Sequence, residues 1–237
     1  MQNKPKYPGP HDSSQGVQSN ALRAAVLGAN DGIVSVASIV VGVAGASSSK
    51  SFILTAGVAG LLAGALSMAV GEYVSVSTQR DTEKSMLARE LYLLENYPDE
   101  EREELALLYE AKGLSKKTAR VVADELSAKD AAAAHFDAEL GIDPNDLTNP
   151  WQAAIASAVA FSLGAVVPLA AVLIASSTPR IPVIFGAVLV ALLITGVLSA
   201  RASRADAVRA TVRVVVGGIL AMAITYSVGR LMGRNIG

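Results

Sequence analysis

The sequence predicts an all-α integral membrane protein of five transmembrane helices, with a three-helix insert between the second and the third. Three observations lead there. Hydrophobic residues make up 51% of the 237 positions and charged residues only 17%, below the ~25% of an ordinary soluble domain. The mean hydropathy is +0.42. Charge is also segregated. Residues 80–140 hold 15 of the 21 acidic side chains against 9 of the 20 basic ones, so this stretch carries −6. Outside it the acids are Asp12, Asp31, Glu72, Asp143, Asp146 and Asp206.

Residues 1–20 are polar, lack the apolar run of a cleavable signal peptide, and read as a flexible cytoplasmic tail. Five apolar stretches follow, at 21–46, 52–77, 151–176, 181–200 and 207–231. Each has at least the ~20 residues that a helix needs to cross a bilayer. The third and fourth have charge-free centres. The fifth carries Arg209, Arg213 and Arg230 near its ends, where long side chains snorkel to the interface. Gly, Ala and Ser are frequent: Gly60 and Gly64 form a small-xxx-small pair, and Gly57, Gly64 and Gly71 recur every seven residues. Small residues let membrane helices approach closely. The expected domains are 1–20, 21–78 (spans one and two), 79–147 (the acidic insert) and 148–237 (spans three to five).

Loop charge sets the expected orientation. Arg201, Arg204, Arg209 and Arg213 crowd the junction of spans four and five, whereas the loops on the other side hold only Arg180 and Lys50. The N-terminus and the insert are therefore expected in the cytoplasm and the C-terminus outside, in the inner membrane if the source is a bacterium.

Within the insert, the second span is expected to continue as a charged helix to about Asn96, where Pro98 breaks it. Asp99 is the expected N-cap of the next helix, with Glu100 and Glu101 in a first turn that favours anions. That helix closes near Lys112 at Gly113. Ser115 caps a third helix that runs to Leu140 and closes at Gly141.

Several function classes drop out. There is no Cys, which excludes disulfides, thiolate metal sites and thiol catalysis. A net-acidic soluble segment does not suit a nucleic-acid backbone. A carboxylate-bridged di-iron enzyme would need Glu-x-x-His pairs, and the two histidines include His11 of the tail. No enzyme is expected.

What remains is chemistry for a cation. Asp31 and Glu72 lie in apolar spans, where an ionised side chain is costly and usually faces a pathway or a partner. Glu72 stands four residues after Met68 and eight after Gly64, on one helix face. A thioether beside a carboxylate suits a borderline transition metal better than magnesium or calcium. In the insert, Glu101 and Glu104 are three apart, His135 and Glu139 four apart, and Glu90 sits on the first helix. Carboxylates converging from three helices with one imidazole make an oxygen-rich site for divalent iron or manganese. The plainer alternatives are that Asp31 caps a local break, that Glu72 lies at the membrane surface and that the insert glutamates form a solvated face.

The segment Ala25-Val26-Leu27-Gly28-Ala29-Asn30-Asp31-Gly32-Ile33-Val34-Ser35 resembles the first-span signature of the vacuolar iron transporter family, which includes plant, yeast and bacterial members. Gly64-Ala65-Leu66-Ser67-Met68-Ala69-Val70-Gly71-Glu72-Tyr73-Val74-Ser75-Val76-Ser77 is similar to that of the second span. The likeness continues through Pro98, Glu101, Glu104, Leu105, Tyr109, Gly113, Leu114 and Glu139-Leu140-Gly141. The resemblance implies a homodimer with five spans per subunit, a pore at its interface, and ferrous iron exchanged for protons, with manganese a further candidate. It also implies Asp31, Met68 and Glu72 as pore residues. The implied metal ligands of the insert are Glu90, Glu101, Glu104 and Glu139, with His135 at the place of a methionine. Leu93 stands where a further glutamate is expected. Metal captured by the insert would pass to the pore while a carboxylate takes up a proton. A membrane-anchored metal sensor that does not transport is the alternative; it would need the insert but not Asp31 or Met68.

Overall fold

The structure is a computed structural model that describes residues 13–176, 178–203 and 206–236. Its elements are α1 (Ser13–Ala46), α2 (Lys50–Asn96), α3 (Pro98–Ala111), α4 (Lys116–His135), a π turn (Phe136–Leu140), α5 (Pro150–Ile174), α6 (Arg180–Ser203) and α7 (Ala207–Ile236). Helices α1, α2, α5, α6 and α7 each contain a stretch long and apolar enough to cross a bilayer. No strand occurs among the described residues. The expected tail falls partly outside the described residues, at 1–12; residues 13–20 are helical and open α1. The chain divides into two units, Met1–Gly71 with Ala154–Gly237, and Glu72–Ala153.

The first unit is a helical bundle. Val36, Val40 and Val41 of α1 meet Ile53 of α2, Phe161, Leu169 and Val172 of α5, Ile184, Val188 and Leu192 of α6, and Met222 of α7 in one buried core. Lipid offers apolar side chains no penalty, so association depends on close packing, and glycine supplies it at two crossings. Gly32 of α1 lies against the Phe161 carbonyl and Gly164 of α5 against the Ala29 carbonyl, with no room for a Cβ at either. Where α1 crosses α7, Gly229 lies against the Gly42 carbonyl, and a Cβ on Gly45 would stand 2.7 Å from the Tyr226 oxygen. Two cations close the ends of helices, whose last carbonyls lack partners and carry partial negative charge. Lys50 Nζ donates to the Leu173 carbonyl, and Arg180 Nη1 donates to the Ser48 carbonyl at 2.8 Å, just past α1.

The second unit begins with the charged half of α2. The whole of α2 runs over 47 residues. It ends before Pro98, which takes the first position of α3 because that position needs no N–H. The cap position of α3 is Tyr97, without a side-chain cap bond. Asp99, the expected cap, sits instead in the first turn with Glu100 and Glu101. Helix α3 closes with a double hook. The Gly113 N–H donates to Glu110 O at 2.9 Å and the Leu114 N–H to Tyr109 O at 3.2 Å. This geometry places Gly113 at φ +103°, where glycine is the residue without a steric penalty. Ser115 caps α4, its Oγ accepting the Thr118 N–H at 3.3 Å. The expected single helix to Leu140 is interrupted: Asp130 is extended, at φ −164° and ψ 95°. The chain then turns helical again and finishes as a π turn at Gly141, φ +61°. Leu105, Ala106 and Ala123 form the small core of this unit, with Tyr109, Leu126, Ala134 and Ala138 packed on it.

Candidate metal centre

The second unit gathers its chemistry where α2, α3 and the last turns of α4 meet. Glu90 of α2 is 3% exposed and Glu101 of α3 is 5% exposed, against 0% for His135. Each arrives for a local reason. Glu90 follows Leu87 by one turn on the buried face of α2. Glu101 lies in the first turn of α3, where unpaired N–H groups favour a carboxylate, and it shares a face with buried Leu105. Helix α3 is held to α4 by Ala123, which packs with Leu105 and Ala106, and by Arg120, whose Nη2 donates to both oxygens of Glu103 at 2.7 and 3.0 Å. That guanidinium holds the Glu103 carboxyl below its usual range.

Three carboxylates converge on one ring nitrogen. His135 Nδ1 lies 3.0 Å from Glu90 Oε1, 3.4 Å from Glu139 Oε2 and 3.7 Å from Glu101 Oε2. One ligand atom from each of the four side chains falls within 4.8 Å of every other. Nδ1 has at most one proton to share. Its hydrogen bond runs to Glu139, and Glu90 Oε1, although close, is a buried acceptor without a hydrogen-bond partner. Such an orphan costs about 1–3 kcal/mol. Desolvation pushes the Glu90 carboxyl above its usual range, and the charges of Glu139 and Glu101 push it further, against the pull of His135. Glu101 is raised by desolvation and then by Glu104.

A divalent cation held among these four side chains would relieve these conflicts together, by partnering the Glu90 oxygen and offsetting the crowded negative charge. Metal–oxygen and metal–nitrogen bonds of ~2.1 Å place neighbouring ligand atoms about 3.0–3.4 Å apart, close to the separations around His135. The donors, three carboxylates and one imidazole with no thiolate, suit iron, manganese or zinc in the divalent state.

Of the residues picked from the sequence, Glu90, Glu101, His135 and Glu139 come together. Glu104 does not: it is exposed, one turn beyond Glu101, and acts on the group through its charge. Asp31 and Met68 lie in the bundle and Glu72 opens the second unit. Helix α1 runs unbroken through Asp31, so Asp31 caps no break. Its neighbours divide three ways. Asn30 Oδ1 accepts from Thr195 of α6 at 3.5 Å. Gly32 presses on α5. Asp31 is exposed, with Ser35 Oγ donating to it at 3.0 Å. Met68 is half-buried against the bundle core. Glu72 is exposed. Two residues that frame these sites were not singled out in the sequence. Thr195 carries no local signal. Asp130 carries one, because Asp is a common N-cap.

Five apolar helices together with a buried carboxylate–imidazole cluster define an integral membrane protein with a candidate metal-binding unit. The model of the VIT family matches residues 22–230, and the chain belongs to that family. It is 45% identical over 225 residues to "Vacuolar iron transporter" of Acanthamoeba castellanii, covering 93% of this chain and 82% of that protein. It is 38% identical over 213 residues to "Vacuolar iron transporter homolog 2.1" of Arabidopsis thaliana, covering 90% and 81%. To "Vacuolar iron transporter homolog 5" of Oryza sativa subsp. japonica it is 40% identical over 215 residues, covering 90% and 81%.

Proposed function

We infer that the protein moves a divalent metal ion, ferrous iron foremost and manganese second, out of the cytoplasm across its membrane. The observation that carries this reading is the buried cluster of Glu90, Glu101, His135 and Glu139 in a chain that also has five apolar helices. The names of the relatives support iron as the cargo. In this reading the second unit is cytoplasmic and captures the ion, and Asp31, Met68 and Glu72 serve its passage across the bilayer.

Asp31 also supports a homodimer. In a single chain it is exposed beside Leu27, which is 57% exposed, and an ionised carboxylate facing lipid is costly. Val58, Leu62, Leu66 and Val70 of α2 form an equally bare apolar stripe, 46–66% exposed. A second subunit covering these faces would turn Asp31 from lipid towards a shared pathway. Proton exchange follows from the same chemistry. A carboxylate that holds a proton while its site is empty gives that proton up to water when a cation binds beside it, so one group trades the two ions.

The test is uptake of Fe2+ and Mn2+ into liposomes holding the purified protein, with and without a pH gradient. Transport accelerated by the gradient and abolished by Asp31→Ala supports the reading. Vesicles impermeable to both ions, with metal still bound by the second unit, would instead favour a membrane-anchored sensor.

A further inference from the structure

We propose that Asp130 is a positioning residue for the metal cluster: by breaking α4 and capping a second helical segment, residues 131–140, it turns His135 and Glu139 towards Glu90 and Glu101. This rests on the metal-centre reading given above.

Helix α4 packs on its neighbours through Ala119 and Ala123, both 0% exposed. At ~100° per residue, an unbroken helix would point His135 about 160° from Ala119 and about 120° from Ala123. Glu139 would lie about 160° from both. Both ligands would then leave the packed side of the helix. Instead His135 is fully buried, 3.0 Å from Glu90. The phase is reset at one residue, Asp130, whose extended backbone at φ −164° is open to any side chain. What the site needs from this side chain is an acceptor. Asp130 Oδ1 takes the Ala133 N–H at 2.9 Å, the bond an N-cap makes three residues into its helix. Residues 131–134 are four alanines, strong helix formers that carry this start directly to His135. The far end is set separately, by the π turn and by Gly141 in the left-handed region. The two ligands thus ride on a ten-residue segment with its own start and stop, and Asp130 is the start.

The test uses the full chain in detergent micelles without oxygen, with Co2+ as an optical probe of affinity and coordination. Hydrogen exchange of the metal-free protein is measured in parallel. Asp130→Ala is expected to weaken Co2+ binding about 3- to 30-fold, the range of a lost N-cap, and to alter the Co2+ spectrum as the imidazole moves. Exchange should quicken in residues 131–140 and stay unchanged in 116–129. Asp130→Asn, which keeps the acceptor, is expected to restore affinity and spectrum to within about threefold of the parent, since Asn and Asp cap equally well. Parental affinity and exchange in Asp130→Ala would overturn the proposal. So would an Asn variant as damaged as the Ala variant, or exchange that quickens evenly over 116–140. A parent protein that binds no Co2+ would refute the metal centre instead, and the exchange pattern alone would then decide the role of Asp130.

Discussion

Replacing Glu90 with Gln is expected to move the second unit in opposite directions according to whether metal is present. Without metal, Glu90 Oε1 is a buried acceptor lacking a hydrogen bond, in a carboxylate raised by desolvation and by Glu139 and Glu101. An amide keeps the shape, removes the charge and donates to the neighbouring carboxylates. Relief of one buried, unsatisfied group is about 1–3 kcal/mol. At ~1.36 kcal/mol per factor of ten, that corresponds to about 5- to 150-fold slower exchange of the amides of α3 and α4. With metal the sign reverses. The parent gains about 2.7 kcal/mol at a metal concentration of 100 times Kd, and the variant, short of one anionic ligand, forfeits most of that gain. The assay is hydrogen exchange read by mass spectrometry on the full chain, which reports local opening and needs no single unfolding transition for the two units. Glu90→Gln that loosens the metal-free unit would refute the account of a strained carboxylate cluster. A variant protected by Fe2+ or Mn2+ as fully as the parent would refute Glu90 as a ligand.

Acidity should separate the same two states. Glu90 and Glu101 bind protons more tightly folded than unfolded, so their contribution to metal-free stability is greatest below the ordinary value of 4.5 and is lost as pH rises through the raised values. Metal affinity should climb through that same window as protons cease to compete; isothermal titration with Mn2+ across pH checks this, and a flat profile contradicts it. Gly32→Leu should block the α1–α5 crossing, where not even a Cβ fits against the Phe161 carbonyl. A cost at or above the ~1–3 kcal/mol of ordinary overpacking is expected, read as lost folded yield in detergent, whereas Gly71→Leu, with nothing within 4 Å of its Cβ, should be tolerated. Asp31→Asn should stop liposome uptake while leaving Mn2+ binding within about twofold of the parent, since Asp31 is not among the four clustered side chains; continued transport would sink its assignment to the pathway.

Local chemistry was legible without the structure. Hydropathy is a property of short windows, so the five apolar spans coincide with α1, α2, α5, α6 and α7. Closing glycines work through their own backbone and two or three neighbours, and Gly113 and Gly141 stand where the pattern put them, at positive φ. The cap at Ser115 is equally local. Missteps were local too: Pro98 claimed the first helical position and moved the cap from Asp99 back to Tyr97.

The membership of the cluster was decided by tertiary structure. Glu101 and Glu104 look alike in a sequence, three apart on one helix, yet Glu101 is buried and Glu104 exposed, because the packing of Leu105 and Ala106 chooses which edge of α3 faces inward. Sequence periodicity also assumes an unbroken helix. His135 and Glu139 face the glutamates only because Asp130 departs from helical geometry and resets the phase. A residue's type and spacing are written in the chain, but the direction in which its side chain finally points depends on every turn before it and on the partner surface it must fill. The amino acids thus named the candidate ligands, and the fold chose which of them meet.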